Sequence, residues 1–309
     1  MLKVPARTPD ERGIRPILLL DGRTMLVTTW SSFEKTDAIY AYDLTTHDLR
    51  KITDVPTPKG TTLFAGDFTI GEGQVVWWTR LKRGPAQIWA APLDGGQARA
   101  IGTQQTDGSG LDGVEVSGGR VAFSARADGI YSLPLAGGRP EPVEGGAPMH
   151  LLRWPWIGTP GRFSHGSTTF TEIRNVETGQ TSEAMIRDGE RFMSCDVDIC
   201  WSGREDRAFY RLRDGSDKRP LPGNVSRMGQ IARNRFHVSS LIDRTRTGID
   251  QFVAAALYDL PTGRVGDLGV RPRKNGEGFS CDRPGFDRTG RLLAYSIGEQ
   301  MYVIDLDKL

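Results

Sequence analysis

Short runs of apolar and aromatic residues alternate with polar turns along most of the chain. In the clearest unit, Asp21-Gly22-Arg23 precedes an apolar run at 25–30, and a second run at 39–44 ends in the turn 45–48. The same order returns at 73–96, 119–138 and 287–306, with weaker copies at 173–179, 209–215 and 256–263. Asp-Gly and Gly-Gly pairs supply the positive φ of tight hairpins, and the alternating apolar residues suit strands packed on both faces. The pattern predicts antiparallel strands joined by tight turns.

The recurrence has the period of a propeller blade. Seven apolar residues stand directly before a turn: Leu44, Leu93, Leu135, Val176, Leu212, Leu260 and Leu306. They are 36 to 49 residues apart, the range of a four-stranded blade. We therefore predict an all-β, seven-bladed β-propeller of four-stranded antiparallel blades in one domain. The predicted blades are 15–55, 62–103, 114–145, 148–186, 188–222, 228–269, and 278–309 with 1–13.

The last blade lacks a strand of its own. The chain stops three residues after Leu306, directly after the third strand of the last unit. An unpaired strand edge invites aggregation, so we expect the segment before Ile14 to supply the fourth strand. The alternative is a disordered leader, favoured by Pro5 and Pro9, beside a three-stranded blade.

The order Asp-Gly-Arg, strand, Ile-Tyr-x-x-Asp-Leu and turn between Asp21 and Thr53 resembles the WD40-like repeat of TolB and of prolyl-oligopeptidase-type and tricorn-type propellers. The Gly-His and Trp-Asp signatures of the WD40 family proper do not stand at matching places. The general style also resembles extracytoplasmic propellers of actinobacteria. The resemblance implies a bacterial propeller with a protein partner at the cell envelope.

Charge and hydropathy narrow the function classes. Forty basic and 38 acidic residues give a net charge of +2, so no overall field argues for nucleic acid. No apolar stretch is long enough to span a bilayer, and we expect a monomer. The N-terminus shows no signal-peptide apolar region, which leaves an extracytoplasmic protein without its export signal or, alternatively, a cytoplasmic protein.

The cysteines favour the first alternative. Cys195 and Cys200 flank a predicted tight hairpin, where facing Cα atoms lie about 4.5 to 5.5 Å apart, within the range of a disulfide. We predict that bond, with a pair of reduced thiols as the alternative. The third cysteine, Cys281, has no predicted disulfide partner and is expected to be buried as a small hydrophobic residue.

The usual catalytic and metal motifs do not appear in the sequence. The four histidines, at 47, 150, 165 and 237, have no metal-binding spacing, and no Gly-x-Ser-x-Gly elbow or phosphate-binding loop occurs. We expect no metal or cofactor, and we interpret His150 and His165 as surface residues. The segment Thr106–Gly113 resembles a calcium loop but lacks its acidic order, so it is interpreted as a flexible blade connection.

Arginine and tryptophan in loops are the residue types that anchor interfaces. The candidate binding residues are Arg80, Lys82, Arg83, Arg153, Trp154, Trp156, Arg162 and His165. The leading hypothesis is a non-catalytic binding or scaffolding module that presents the loops between second and third strands and the blade connections. The alternative is a propeller enzyme, such as a lyase, hydrolase or biosynthetic tailoring enzyme, with its site at the channel mouth.

Overall fold

The fold is described from a computed structural model of the 309-residue chain. The structure describes residues 1–32, 35–82, 84–106, 110–125, 128–159, 169–188, 190, 193–202, 208–222, 231–243, 251–272 and 284–309.

The described chain consists of strands and one short 3-10 helix, Leu306–Lys308. The strands are β1 (Leu2–Pro5), β2 (Gly13–Leu19), β3 (Thr24–Ser32), β4 (Lys35–Asp43), β5 (Leu49–Asp54), β6 (Thr61–Gly71), β7 (Gln74–Leu81), β8 (Ala86–Pro92), β9 (Arg99–Gln104), β10 (Leu111–Ser117), β11 (Arg120–Ala125), β12 (Gly129–Pro134), β13 (Glu141–Pro142), β14 (His150–Arg153), β15 (Trp156–Thr159), β16 (Glu172–Asn175), β17 (Thr181–Glu183), β18 (Met193–Cys195), β19 (Ile199–Ser202), β20 (Phe209–Leu212), β21 (Arg219–Pro220), β22 (Ile231–Ala232), β23 (Phe236–Asp243), β24 (Gln251–Asp259), β25 (Arg264–Asp267), β26 (Gly285–Phe286), β27 (Leu292–Ile297) and β28 (Gln300–Asp305). Within the described residues, no helix has the length and apolar character needed to cross a membrane.

These strands form the seven four-stranded antiparallel sheets of a seven-bladed β-propeller, as predicted. Blades 1 to 6 take four consecutive strands each, from β2–β5 to β22–β25. The seventh sheet has the order β1-β28-β27-β26, with β1 paired from Leu2↔Val303 to Pro5↔Gln300. The prediction that the N-terminal segment completes the last blade is therefore confirmed.

The chain divides into two compact units. The first comprises residues 1–27, 42–49 and 198–309, and the second comprises 28–41 and 50–197. Blades 2, 3 and 4 lie wholly in the second unit, whereas blades 6 and 7 lie wholly in the first.

Apolar clusters fill the spaces between neighbouring blades inside each unit. In the second unit, Trp78 and Ile88 of blade 2 pack in one cluster with Val114 and Phe123 of blade 3. In the first unit, a corresponding cluster joins blades 6 and 7. Burial of one such side chain stabilises the fold by about 1.5 to 3 kcal/mol, so these contacts explain why a single blade needs its neighbours.

One backbone hydrogen bond recurs in all seven blades and locates the end of the third strand. The residue after that strand donates its N–H to the carbonyl of the residue directly before the second strand, as Leu44 does to Arg23 and Leu306 to Arg291. Six of the seven sequence markers occupy this position. In blade 5 the position belongs to Arg213, which is buried, whereas the predicted marker Leu212 is 42% exposed. The marker at Leu212 is therefore wrong by one residue.

The glycine pairs do more than turn the chain. Gly95 and Gly137 have φ of +117° and +107°, and both follow third strands. The next residues, Gly96 and Gly138, donate their N–H groups to the carbonyls of Ile52 and Ile101 in the preceding blade. Gly22, by contrast, needs no positive φ, because the carboxylate of Asp21 accepts the turn N–H groups of Arg23 and Thr24.

Arginine side chains strengthen the same junctions. Arg50 on β5 donates to the carbonyls of Leu93 and Asp94 in blade 2. Arg99 on β9 donates in the same way to Leu135 and Ala136 in blade 3. An exposed strand edge is thus tied to the next blade through two carbonyl oxygens.

Candidate functional site

The two ends of a blade differ in their connections. Because neighbouring strands are antiparallel, the turn between the first and second strands and the turn between the third and fourth strands leave from one end, here called the turn end. The loop between the second and third strands and the connection to the next blade leave from the other end, here called the loop end. This division applies to each blade separately.

Side chains stabilise the turns at the turn end. Asp43 accepts hydrogen bonds from the backbone N–H groups of Thr46 and Thr45, which together with Arg23 lower the pKa of its carboxyl. In blade 6, two hydrogen bonds from Arg235 hold the pKa of Asp259 at about 2. Comparable contacts between a side chain and its own turn are made by Asn175, Asp214 and Asp287. The turn end is therefore a short, internally hydrogen-bonded surface.

In blade 4 the longer connections lie at the loop end. In blade 4, residues 160–171 connect β15 to β16 and residues 184–192 lead to β18, whereas residues 154–155 and 176–180 suffice at the turn end. The described part of the second connection exposes two large apolar residues, Met185 at 51% and Ile186 at 37%. Both residues belong to a connecting segment, the kind of segment on which binding residues are most often found.

The loop end of blade 2 is basic. The backbone N–H of Lys82 donates to the carbonyl of Gly60, which brings the loop after β7 beside the segment that leads into β6. The two exposed lysines, Lys59 and Lys82, therefore lie on adjacent stretches of backbone, and the half-buried Arg80 stands at the end of β7. In the described part of the chain neither lysine forms an ion pair. Arg83 lies outside the described residues.

The predicted residues of blade 4 lie at its turn end. Arg153 ends β14 with its side chain about half exposed, and its Nε lies 3.8 Å from Oδ1 of Asp196. Trp154 follows in the turn, where its indole N–H donates to Oε1 of Glu177 at 2.8 Å, and the half-buried Trp156 begins β15. Blades 2 and 4 thus present their candidate residues at opposite ends. Arg162 and His165 lie outside the described residues, so the binding role of all eight remains a prediction.

A buried acid and a buried histidine face each other between blades 3 and 4. Oδ2 of Asp112 on β10 lies 3.9 Å from Nδ1 of His150 on β14, and both strands are the first of their blades. Asp112 is 6% exposed and His150 8% exposed. The expectation that His150 is a surface residue is therefore wrong. The interpretation of Thr106–Gly113 as a flexible connection also fails from Leu111 onward, because Asp112 belongs to a strand.

A buried hydroxyl group forms a hydrogen bond beside this pair. Ser124, opposite Asp112 in the sheet, accepts a hydrogen bond of 2.7 Å from the backbone N–H of Leu151, the residue after His150. Nδ1 of His150 makes no hydrogen bond in the described structure. A carboxylate beside an imidazole can exchange a proton with a bound molecule. Within the described residues, no group of three histidine, cysteine or acidic side chains stands ready for a metal ion.

The arrangement of three residues has no signal in the sequence: Lys59, Asp112 and the buried His150. Lys59 stands apart from the run Arg80–Arg83, and only the backbone pairing of the two segments joins them. Asp112 and His150 are distant in sequence and belong to different blades. No local pattern signals either pairing.

The predicted disulfide between Cys195 and Cys200 is present, and both cysteines are buried. It closes the hairpin between β18 and β19, where the spacing of the two residues placed it. Cys281 lies outside the described residues.

Comparison with known proteins supports the fold. No protein-family model and no curated protein matches the sequence. The C-terminal WD40 domain of Sif2 superposes with a TM-score of 0.50 at 11% identity, over 99% of this chain and 85% of that chain. A TolB structure from Agrobacterium tumefaciens gives 0.36 at 15% identity over 84% and 81%, and an oligogalacturonate lyase in complex with manganese gives 0.40 at 10% identity over 94% and 76%. At 11% identity, the likeness to the Sif2 domain is one of fold.

Proposed function

We propose that this seven-bladed propeller is a non-catalytic binding module, active as a monomer, that uses the loop ends of its blades to hold a protein partner. The observation that carries the proposal is the contrast between the two ends of blades 4 and 6. In both blades the connections at the turn end are short, whereas the loop end carries the longer connections, and binding residues are found disproportionately on such segments.

The charge at the loop end of blade 2 favours an acidic partner. Lys59 and Lys82 are exposed beside Arg80 and have no acidic partner of their own among the described residues. A cluster of this sign speeds encounter with an acidic segment and orients it. The exposed Met185 and Ile186 on the loop end of blade 4 would add apolar contact area.

A photo-crosslinking amino acid at Lys82 tests the proposal, with the same amino acid at Arg139 as the control. Arg139 is also basic and exposed, but it lies at the turn end of blade 3. We expect a discrete adduct from position 82 only. With the captured partner purified, the double substitution Lys59→Glu and Lys82→Glu should weaken binding tenfold or more, roughly 1.4 kcal/mol, and Arg139→Glu should leave it unchanged. Equal adducts from both positions, or equal effects of both substitutions, would disprove a loop-end site.

The disulfide supports action outside the reducing cytosol. Disulfides persist in oxidising compartments, and the bond between Cys195 and Cys200 is buried within one hairpin. Free thiols at these two positions, in protein trapped with an alkylating agent as cells are opened, would contradict an extracytoplasmic location.

A second candidate function, catalysis at the channel mouth, is favoured by the buried pair of Asp112 and His150. In this alternative His150 acts as general base and Asp112 orients it. Saturable turnover of a glycoside, lactone or polysaccharide substrate, reduced about a hundredfold or more by His150→Asn and unaffected by His47→Asn, would establish it. His47 is exposed in the turn after β4 and serves as the matched control. Turnover that survives His150→Asn would exclude this pair as the catalytic site.

A further inference from the structure

His237 is a fully buried histidine. It lies on β23, the second strand of blade 6, at 0% exposure, and neither Nδ1 nor Nε2 has a hydrogen-bond partner among the described residues. Two residues further along the strand, Ser239 is 1% exposed, and its hydroxyl also lacks a partner in the part of the chain that the structure describes. Buried polar groups are normally paired, so two unpaired side chains at neighbouring positions mark an unusual interface.

Strand alternation shows which interface this is. Phe236 and Val238 pack in the cluster that joins blade 6 to blade 7, so His237 points to the other face of the sheet. Its cross-strand neighbours on that face are Ile231 on β22 and Tyr258 on β24.

Those two neighbours belong to the cluster between blades 5 and 6. Ile231 and Tyr258 pack there with Ile199 and Trp201 of β19 and with the partly buried Tyr210 of β20. We call this interface the 5/6 seam. His237 is thus enclosed by aliphatic and aromatic side chains, an environment that stabilises a neutral imidazole and not a charged one.

Among the described residues that pack in the seam, the titratable groups are the phenols of Tyr258 and Tyr210, and burial raises the pKa of Tyr258. The buried Arg211 is next to Tyr210 on β20, but its guanidinium lies over the ring of Phe209, on the opposite face of that strand. The carboxylate of Asp198 lies at the turn end of the seam, where it accepts a hydrogen bond from the side chain of Asn234. Burial alone lowers the pKa of His237 to about 4, with no contribution from a charged neighbour.

We infer that the 5/6 seam is an acid-sensitive joint, which opens when His237 takes up a proton. Opening brings water to both ring nitrogens and to the Ser239 hydroxyl. The protonated imidazole is therefore hydrated in the open form, whereas it is not hydrated in the closed form. The blades on either side keep their own hydrogen-bonded strands. Separation at the seam therefore changes the spacing of the loop ends of blades 5 and 6 without unfolding either sheet.

The direction with pH follows from the two protonation states. With a pKa of about 4 in the closed seam and 6.5 for a histidine in water, the open form binds more protons between these values. The closed seam is fully stable above pH 6.5 and loses stability as the pH falls from 6.5 toward 4. At pH 4.5 the opening equilibrium is about 75-fold higher than at pH 8.

Hydrogen exchange on the intact protein tests the inference. After correction for intrinsic exchange, the amides of β23 and β20 should lose protection between pH 8 and pH 4.5, while those of β7 and β11 in blades 2 and 3 should not. His237→Leu should abolish the acid response, and His47→Asn should leave it as in the wild type. If His237→Leu does not fold, His237→Gln serves in its place, because glutamine also cannot be protonated.

A titration of the histidine ring by NMR supplies a second measurement on the wild-type protein. A resonance assigned to His237 that titrates below about pH 5 supports the inference, whereas one that titrates near 6.5 without loss of seam protection overturns it. Unchanged protection of β23 at pH 4.5, or an acid response that persists in His237→Leu, also overturns it.

Discussion

Val4→Asp is expected to lower the free energy of unfolding by about 4 kcal/mol or more, a large part of the stability of a typical domain. Val4 lies on β1, the strand that the N-terminal segment adds to blade 7, and its side chain is 0% exposed. Its partner in the register, Met301 on β28, is equally buried. A carboxylate at this position would lose its hydration without gaining a partner, and the edge of β28 would lose its cover.

The measurement is urea unfolding followed by tryptophan fluorescence and far-UV circular dichroism, and Leu2→Asp is the control. Leu2 belongs to the same strand but is 44% exposed, so its substitution should cost less than about 1 kcal/mol. A Val4→Asp protein as stable as Leu2→Asp would mean that β1 does not close the last blade in solution.

Gly129→Ala is expected to cost about 3 kcal/mol, although alanine is only one methyl group larger. Gly129 begins β12 with φ of +97°, a conformation that side chains other than glycine rarely adopt. A Cβ there would lie 2.7 Å from the carbonyl oxygen of Gly146 and 3.0 Å from Cα of Ala147. Both are backbone atoms, so the new methyl group has no flexible neighbour to displace.

Gly118→Ala separates these two causes. Gly118 also has a positive φ, +56°, but open space surrounds the position of its Cβ. Its substitution should cost about 1 to 2 kcal/mol for the backbone conformation alone. The difference between the two variants in urea midpoint measures the close approach of the segment 145–147. Equal midpoints would show that the segment does not pack against β12.

The sequence was sufficient to predict the architecture, because the same pattern of strands and turns recurs in every blade. Each blade uses a turn signal, two apolar runs and a second turn, so an unclear copy between 151 and 263 is interpreted with the help of clear ones such as 21–53. The N-terminal segment was also predicted to complete the last blade, and β1 does so. The bond between Cys195 and Cys200 followed in the same way, since a hairpin brings residues of that spacing together.

Blade 5 shows where local patterns fail. The position that is apolar in the other six blades is occupied by the buried Arg213, and the neighbouring Leu212 is exposed. A sequence pattern assigns the apolar residue to the interior, because it has no information about the hydrogen bond from the Arg213 N–H to the carbonyl of Asp198.

The candidate site was predicted in its residue types but not in its arrangement. Arg80 and Lys82 come to the loop end of blade 2, whereas Arg153 and Trp154 come to the turn end of blade 4. Both pairs stand where a strand ends, and a loop between strands has the same sequence pattern at either end of a blade. A loop that follows the first strand of a blade lies at the turn end, and a loop that follows the second strand lies at the loop end.

The alternation of strand residues, the tight turns, the number of blades and the hairpin disulfide are local or repeated properties, and the sequence by itself determined them. The burial of polar residues was decided only by the tertiary structure. In β23, apolar and polar residues alternate from Phe236 to Ser239, which is typical of a strand with one solvent-exposed face. A second blade packs on that face, so His237 and Ser239 are buried. Likewise Asp112 meets His150 because two blades stack. Such contacts depend on which side chains face each other between two sheets. The residue pattern of a single strand does not contain this information.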